Sequence, residues 1–108
     1  MELAELQDKA VDAANLLKAM SNESRLLILC NLAEGEMSVG ELQACVDLSQ
    51  SALSQHLAVL RRDNIVTTRR DSQSIFYSLA SEPAKDIMAT LYAYFCAPAK
   101  SVKRKRRA

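Results

Sequence analysis

The sequence predicts a mainly α fold with a single β-hairpin, and three observations carry that reading. Only two glycines and two prolines interrupt the 108 residues, and apolar residues recur at spacings of three and four over most of the chain, the period of amphipathic helices. Two of the helices are short and joined by a three-residue turn, the outline of a helix-turn-helix. After them the period changes to two on either side of a polar turn, which predicts a hairpin. The order is helix, helix, helix, helix, strand, strand, helix, that of a winged helix-turn-helix.

The first helix is predicted over residues 3–19, with Leu3, Leu6, Ala10, Ala13 and Leu17 as its apolar stripe. The second covers 23–33 and is expected to bury Leu26, Leu27, Cys30 and Ala33, stopping at Gly35, the residue type that best tolerates a left-handed cap. Ser38 followed three residues later by Glu41 is a capping box, which satisfies two orphan backbone donors at a helix start. It opens a short third helix to residue 46, with Val39, Leu42 and Val46 inside. Asp47 and Leu48 turn the chain into Ser49, an N-cap for a fourth helix over 50–62. Strands over 65–70 and 74–79, rich in β-branched and aromatic residues, flank a turn at Asp71, Ser72 and Gln73. Ser81 caps a last helix over 83–96, where Pro83 is acceptable in the first turn, Ile87, Met88, Leu91, Tyr94 and Phe95 are apolar, and Pro98 ends it. Residues 1–97 therefore read as one domain and 98–108 as a basic, disordered tail.

Hydrophobic residues make up 49% and charged residues 25%, the composition of a chain that folds. No apolar run approaches the roughly 18 residues that cross a bilayer, and Glu2, Glu5 and Asp8 stand where a signal peptide carries positive charge. No membrane association and a cytoplasmic location are expected. Three cysteines, Cys30, Cys45 and Cys96, form no Cys-x-x-Cys, and their odd number favours free thiols in a reducing interior over a disulfide framework. The net charge of +1 hides an asymmetry: six of the 14 Lys and Arg lie at 100–107, and residues 1–47 hold three against nine Asp and Glu. Residues 48–79 reverse this, with Arg61, Arg62, Arg69 and Arg70 against Asp63 and Asp71. A polyanion would meet that segment and the tail.

The fourth helix has the features of a reading head. At about 100° per residue, Leu53, Leu57 and Leu60 share one face, and Ser51, Ser54, Gln55, Ala58 and Arg62 the other. Short hydroxyls and amides approach a groove floor and bond base edges, and arginines bond phosphates. Gln50, Ser51, Ser54 and Gln55 are the candidate base readers, with Arg62 at the end of the helix and Arg69, Arg70 and Gln73 of the hairpin as further DNA-binding candidates. His56, about 60° from the leucine stripe, reads as a packing or phosphate-contacting residue. With no acidic or thiol cluster near it, it offers little to a metal.

Leu17-Lys18-Ala19-Met20-Ser21 with Arg25-Leu26, Leu48-Ser49-Gln50-Ser51-Ala52-Leu53-Ser54-Gln55-His56-Leu57 with Leu60-Arg61, and Arg69-Arg70 with Tyr77-Ser78-Leu79 together resemble the ArsR/SmtB family of winged-helix repressors. The resemblance implies a homodimer through the first and last helices, double-stranded DNA bearing an imperfect inverted repeat as partner, and repression relieved by an inducer. The family's metal sensors carry a Cys-x-Cys at the third helix or histidines on the last. Here those positions are Ser38 and Gly40, and the last helix has no histidine, so neither metal nor cofactor is expected. Cys30 in Leu-Cys-Asn-Leu and Cys96 in Tyr-Phe-Cys look instead like the paired thiols of the HlyU/BigR/SqrR subgroup. That resemblance implies a redox switch in which reactive sulfur or an oxidant joins the two and weakens DNA binding. Cys45 has no place in that motif and reads as a half-buried filler.

Three other readings remain open. One is a metal-responsive repressor using Cys30 or Cys96 with Asp86 or Glu82. A second is an interaction module that kept the winged fold without binding DNA. A thiol enzyme is the third and weakest, since no Cys-x-x-Cys, no cysteine at a helix N-terminus and no partner base is present.

Overall fold

The computed structural model describes residues 2–96, so the tail expected at 98–108 and the stop at Pro98 lie outside the described residues. The elements are α1 (Leu3–Met20), α2 (Glu23–Leu32), β1 (Met37–Ser38), α3 (Val39–Cys45), α4 (Gln50–Arg62), β2 (Val66–Asp71), β3 (Ser74–Leu79) and α5 (Glu82–Leu91), followed by a π-helical turn, Tyr92–Cys96. This is the expected winged helix-turn-helix with two additions. β1 makes the hairpin a three-stranded antiparallel sheet in the order β1-β3-β2, and the last helix changes to π geometry five residues before its end.

Local chemistry sets the helix starts. Asn22 accepts from the Arg25 amide at 3.0 Å. The Ser38 hydroxyl accepts from Glu41 at 3.1 Å while the Glu41 carboxylate accepts from the Ser38 amide at 2.8 Å, closing the capping box. Ser49 and Ser81 cap α4 and α5 by accepting from Ala52 and Ala84, each at 3.1 Å. Each bond satisfies a donor that the helix itself leaves unpaired. α2 ends on Leu32, and Gly35 takes φ +146°, which only glycine adopts without strain.

Leu53, Leu57 and Leu60 of α4 are buried with Ile28, Leu29 and Leu32 of α2, Leu42 of α3 and its C-cap Val46, Ile65 and Val66, and Ala84 and Met88 of α5. The face expected for α2 needs correcting: Leu27 and Ala33 are exposed, Leu26 and Cys30 half-buried, and Ile28 and Leu29 fully buried. The run Leu26 to Cys30 is apolar on every side, so periodicity could not select the inward face; α4 does. In α1 only Ala19 and Met20 are buried, and the predicted stripe lies open, Leu3 at 70% exposure and Leu6 and Leu17 at 52%. Tyr94 and Phe95 are likewise 77% and 79% exposed.

The strands pair from Val66↔Leu79 to Asp71↔Ser74, so the connection is two residues, 72–73, and not the three expected. Ser72 takes φ +59° there, as the tight primed turns of hairpins require at their first position. Ile65, expected to open the strand, precedes it. It is fully buried, its amide donates to Leu60 at 2.9 Å, and its carbonyl accepts from Ala80 at 2.9 Å and Ser81 at 3.3 Å. The end of α4 and the start of α5 are thus fastened at one residue.

Candidate nucleic-acid interface and thiol pair

The buried leucines of α4 turn Gln50, Ser51, Ser54 and Gln55 outward, and all four are exposed. They occupy the N-terminal half of the helix, where free N–H groups and the dipole favour anions. The Gln43 side chain donates to the Leu48 carbonyl and fixes the turn between α3 and α4. Arg62 at the far end is exposed and lies 3.6 Å from Asp63, a weak surface pair that leaves its charge available.

His56 is turned away from the reading face. Half-buried, its Nδ1 lies 3.3 Å from Nη1 of Arg25 in α2. A guanidinium only donates, so Nδ1 is the acceptor there. Arg25 also donates to the Ala19 carbonyl, bracing the end of α1, α2 and α4 together. Arg61 lines a cleft of about 450 Å³ between α4 and the sheet, with Ser54, Ala58, Arg62, Val39 and Tyr77. The sequence places Arg61 in the basic segment, but neither it nor Tyr77 among the DNA-binding candidates. The signal for Arg61 was present, since Ser54, Ala58 and Arg61 are spaced i, i+4 and i+7 on one face; Tyr77 reaches the cleft only through the sheet.

In the wing, Arg70 and Gln73 are exposed, and Arg70 makes no ion pair among the described residues. Arg69 is held. Its Nε and Nη2 donate to the two carboxylate oxygens of Glu36 at 2.7 and 2.8 Å, Nη1 is 3.8 Å from Asp71, and the guanidinium lies 4.6 Å from the Phe76 ring centre. The bond from Arg69 holds the Glu36 carboxyl below the usual carboxylate range, and the same bond raises Arg69.

Cys30 is half-buried on α2 and lines a mainly apolar cleft of about 420 Å³ between α2 and α5, with Leu79, Met88 and Tyr92 as walls and Glu34 and Lys85 as charged groups. A second groove reaches it past Asn22, Leu26 and Leu27. Burial, and then the electrostatic interaction with Cys96, push the Cys30 thiol above the ordinary thiol range. Cys96 is exposed on the π-helical turn that follows α5. Cys45, expected half-buried, is exposed, because the short α3 turns only Leu42 and its C-cap Val46 fully into the core. Among the described residues no three His, Cys, Asp or Glu converge to hold a metal ion, and no helix is long and apolar enough to cross a membrane.

Residues 22–68 match the family described as bacterial regulatory protein, arsR family. The transcriptional activator HlyU of Vibrio cholerae is 51% identical over 96 residues, 89% of each chain. The chain belongs to the arsR family. The biofilm growth-associated repressor of Agrobacterium fabrum is 48% identical over 96 residues, 89% of this chain and 82% of that one. Reduced HlyU from Vibrio cholerae superposes with a TM-score of 0.84 at 50% identity, covering 88% of this chain and 100% of that one. As an arsR-family protein the chain is a transcriptional regulator with a winged-helix DNA-binding fold, not an enzyme. Its resemblance to these regulators covers 96 residues, well beyond residues 22–68 of the family match.

Proposed function

We propose that the protein is a homodimeric repressor of an inverted-repeat DNA site, released when Cys30 and Cys96 are joined. Gln50, Ser51, Ser54 and Gln55 read base edges, Arg61, Arg62, Arg70 and Gln73 meet the backbone, and His56 acts indirectly by fixing α4 against Arg25. The observation that supports the switch is that Cys30 lines the cleft between α2 and α5 while Cys96 lies on the turn that follows α5. The thiol of Cys30 opens into that cleft, and interaction with Cys96 contributes, after burial, to raising it. Dimerisation is supported by the uncovered apolar residues of α1 and the π-helical turn, Leu3, Leu6, Leu17, Tyr94 and Phe95, a surface of the kind that marks a protein partner.

The chemistry balances with a low-molecular-weight persulfide as oxidant. One thiolate takes the outer sulfur of the persulfide and expels a thiolate. The second cysteine then attacks the new protein persulfide at its inner sulfur, forming the bridge and releasing hydrosulfide. Two thiols are oxidised by two electrons and the persulfide is reduced to thiol and sulfide. Peroxide reaches the same bridge through a sulfenic acid and loss of water. A bridge that favours one spacing of α2 and α5 by about 1–3 kcal/mol changes DNA affinity about 5- to 150-fold. The reason is geometric, since two reading heads on one duplex face must lie about 34 Å apart.

The test is mass spectrometry after glutathione persulfide and after peroxide, paired with binding to a duplex selected from a random pool by the reduced protein. A Cys30–Cys96 bridge that appears with DNA release supports the switch. Unaltered release from a Cys30→Ala/Cys96→Ala variant excludes it, and tight soft-metal binding that releases DNA would favour a metal sensor instead.

A further inference from the structure

Arg69 and Arg70 are adjacent in sequence, but strand alternation sends their side chains to opposite faces of the sheet. Arg69 of β2 lies opposite Phe76 of β3, and Phe76 lies opposite Ser38 of β1, so the three form one row across the sheet. Glu36, two residues before Ser38, brings its carboxylate onto that row and takes Arg69 through both oxygens, at 2.7 and 2.8 Å. β1 and β2 are not neighbours in the sheet, so the pair spans the face of β3, with Phe76 beneath the guanidinium at 4.6 Å. The forked guanidinium is thereby committed to a planar, two-bonded partner. With Asp71 also 3.8 Å from Nη1, two carboxylates surround one cation, leaving a local charge of the wrong sign for a phosphate.

We propose that Glu36 and Arg69 form a strut that sets the angle of the wing on the helix-turn-helix, and that Arg70 is the arginine of this pair that meets the DNA backbone. Arg69 is then a positioning residue acting through Arg70 and Gln73, and the loop before α3 takes part in aiming the wing. The strut itself is a property of the free protein, while its effect on binding rests on the DNA reading proposed above.

Two measurements test it. In hydrogen exchange on the free protein, Glu36→Gln and Arg69→Ala speed the exchange of amides over 66–79, and Arg70→Ala does not. In binding to a labelled duplex selected from a random pool by the wild-type protein, Arg70→Ala lowers the salt slope by about one. Arg69→Ala added to Arg70→Ala leaves the slope where Arg70→Ala put it. Glu36→Gln weakens binding, and Glu36→Arg combined with Arg69→Glu regains affinity that Arg69→Glu alone loses. The strut is overturned if Arg69→Ala takes a further unit of slope, if Glu36→Gln tightens binding, or if hairpin exchange in Glu36→Gln matches the wild type. Should the wild type select no duplex, the DNA reading fails, and hydrogen exchange still decides the strut.

Discussion

The half of the chain built from α2, α3, α4 and the sheet closes on itself, whereas α1 and the end of α5 do not. In the first, three leucines of α4 are fully or almost fully buried, serine caps finish the helix starts, and β3 is paired on both sides. In the second, a long helix buries only its last two residues, and the aromatic turn after α5 stands in solvent. The reading head is thus shaped by its own chain, while the distance between two heads is left to whatever covers α1 and α5. A bridge between Cys30 on α2 and Cys96 after α5 would tie the open half to the closed one.

Four outcomes break or sharpen this contrast, in descending order of the change expected in the folded or oligomeric state. Leu60→Ala, in the closed half, should cost about 2–5 kcal/mol of stability in denaturant unfolding, because it removes a fully buried side chain from a packed core. Leu6→Glu, in the open half, should instead cost the isolated fold under about 0.5 kcal/mol, and sedimentation should show a shift from dimer to monomer with helix content retained. If Leu6→Glu leaves the dimer whole, the open half is not the interface. Ser49→Ala should cost about 1 kcal/mol by removing the cap of α4, measurable as a lowered midpoint with unchanged slope in urea.

The smallest effect concerns the thiol between the halves. Burial and Cys96 raise the Cys30 thiol, so the folded protein holds its proton to higher pH than an unfolded chain does. That contribution to stability is complete below the ordinary thiol range and disappears as pH rises through the raised value. Alkylation of Cys30 by iodoacetamide should accordingly have its pH midpoint above that of glutathione. Cys96→Ser should lower the midpoint only partly, because burial is the larger cause. A midpoint at or below that of glutathione would place Cys30 in a more open setting.

What the sequence made legible was what is local. Ser38, Ser49 and Ser81 were readable as caps because the bonds they accept come from three residues away, and Leu53, Leu57 and Leu60 because one helical face holds them. Met37 and Ser38 were not readable as a strand: a two-residue pairing has no period, and it exists only because Tyr77 and Phe76 lie alongside. The same holds at the interface. Gln50 to Gln55 follow from α4 alone, but the grip of Glu36 on Arg69 joins residues 33 positions apart, and the turn of His56 toward Arg25 joins residues 31 apart. No pattern in either segment announces its partner. The π geometry at Tyr92–Cys96 has no sequence signal we can identify.

Ile65 has a mechanical meaning. Through its amide it holds the last turn of α4, and through one carbonyl it holds the two residues that lead into α5. Detaching the last helix there would leave the carbonyl of fully buried Ile65 without a partner, at a cost of about 1–3 kcal/mol. The root of α5 is therefore tethered to the end of α4, and a displacement of that helix carried as far as Ile65 would pull on α4 through the main chain.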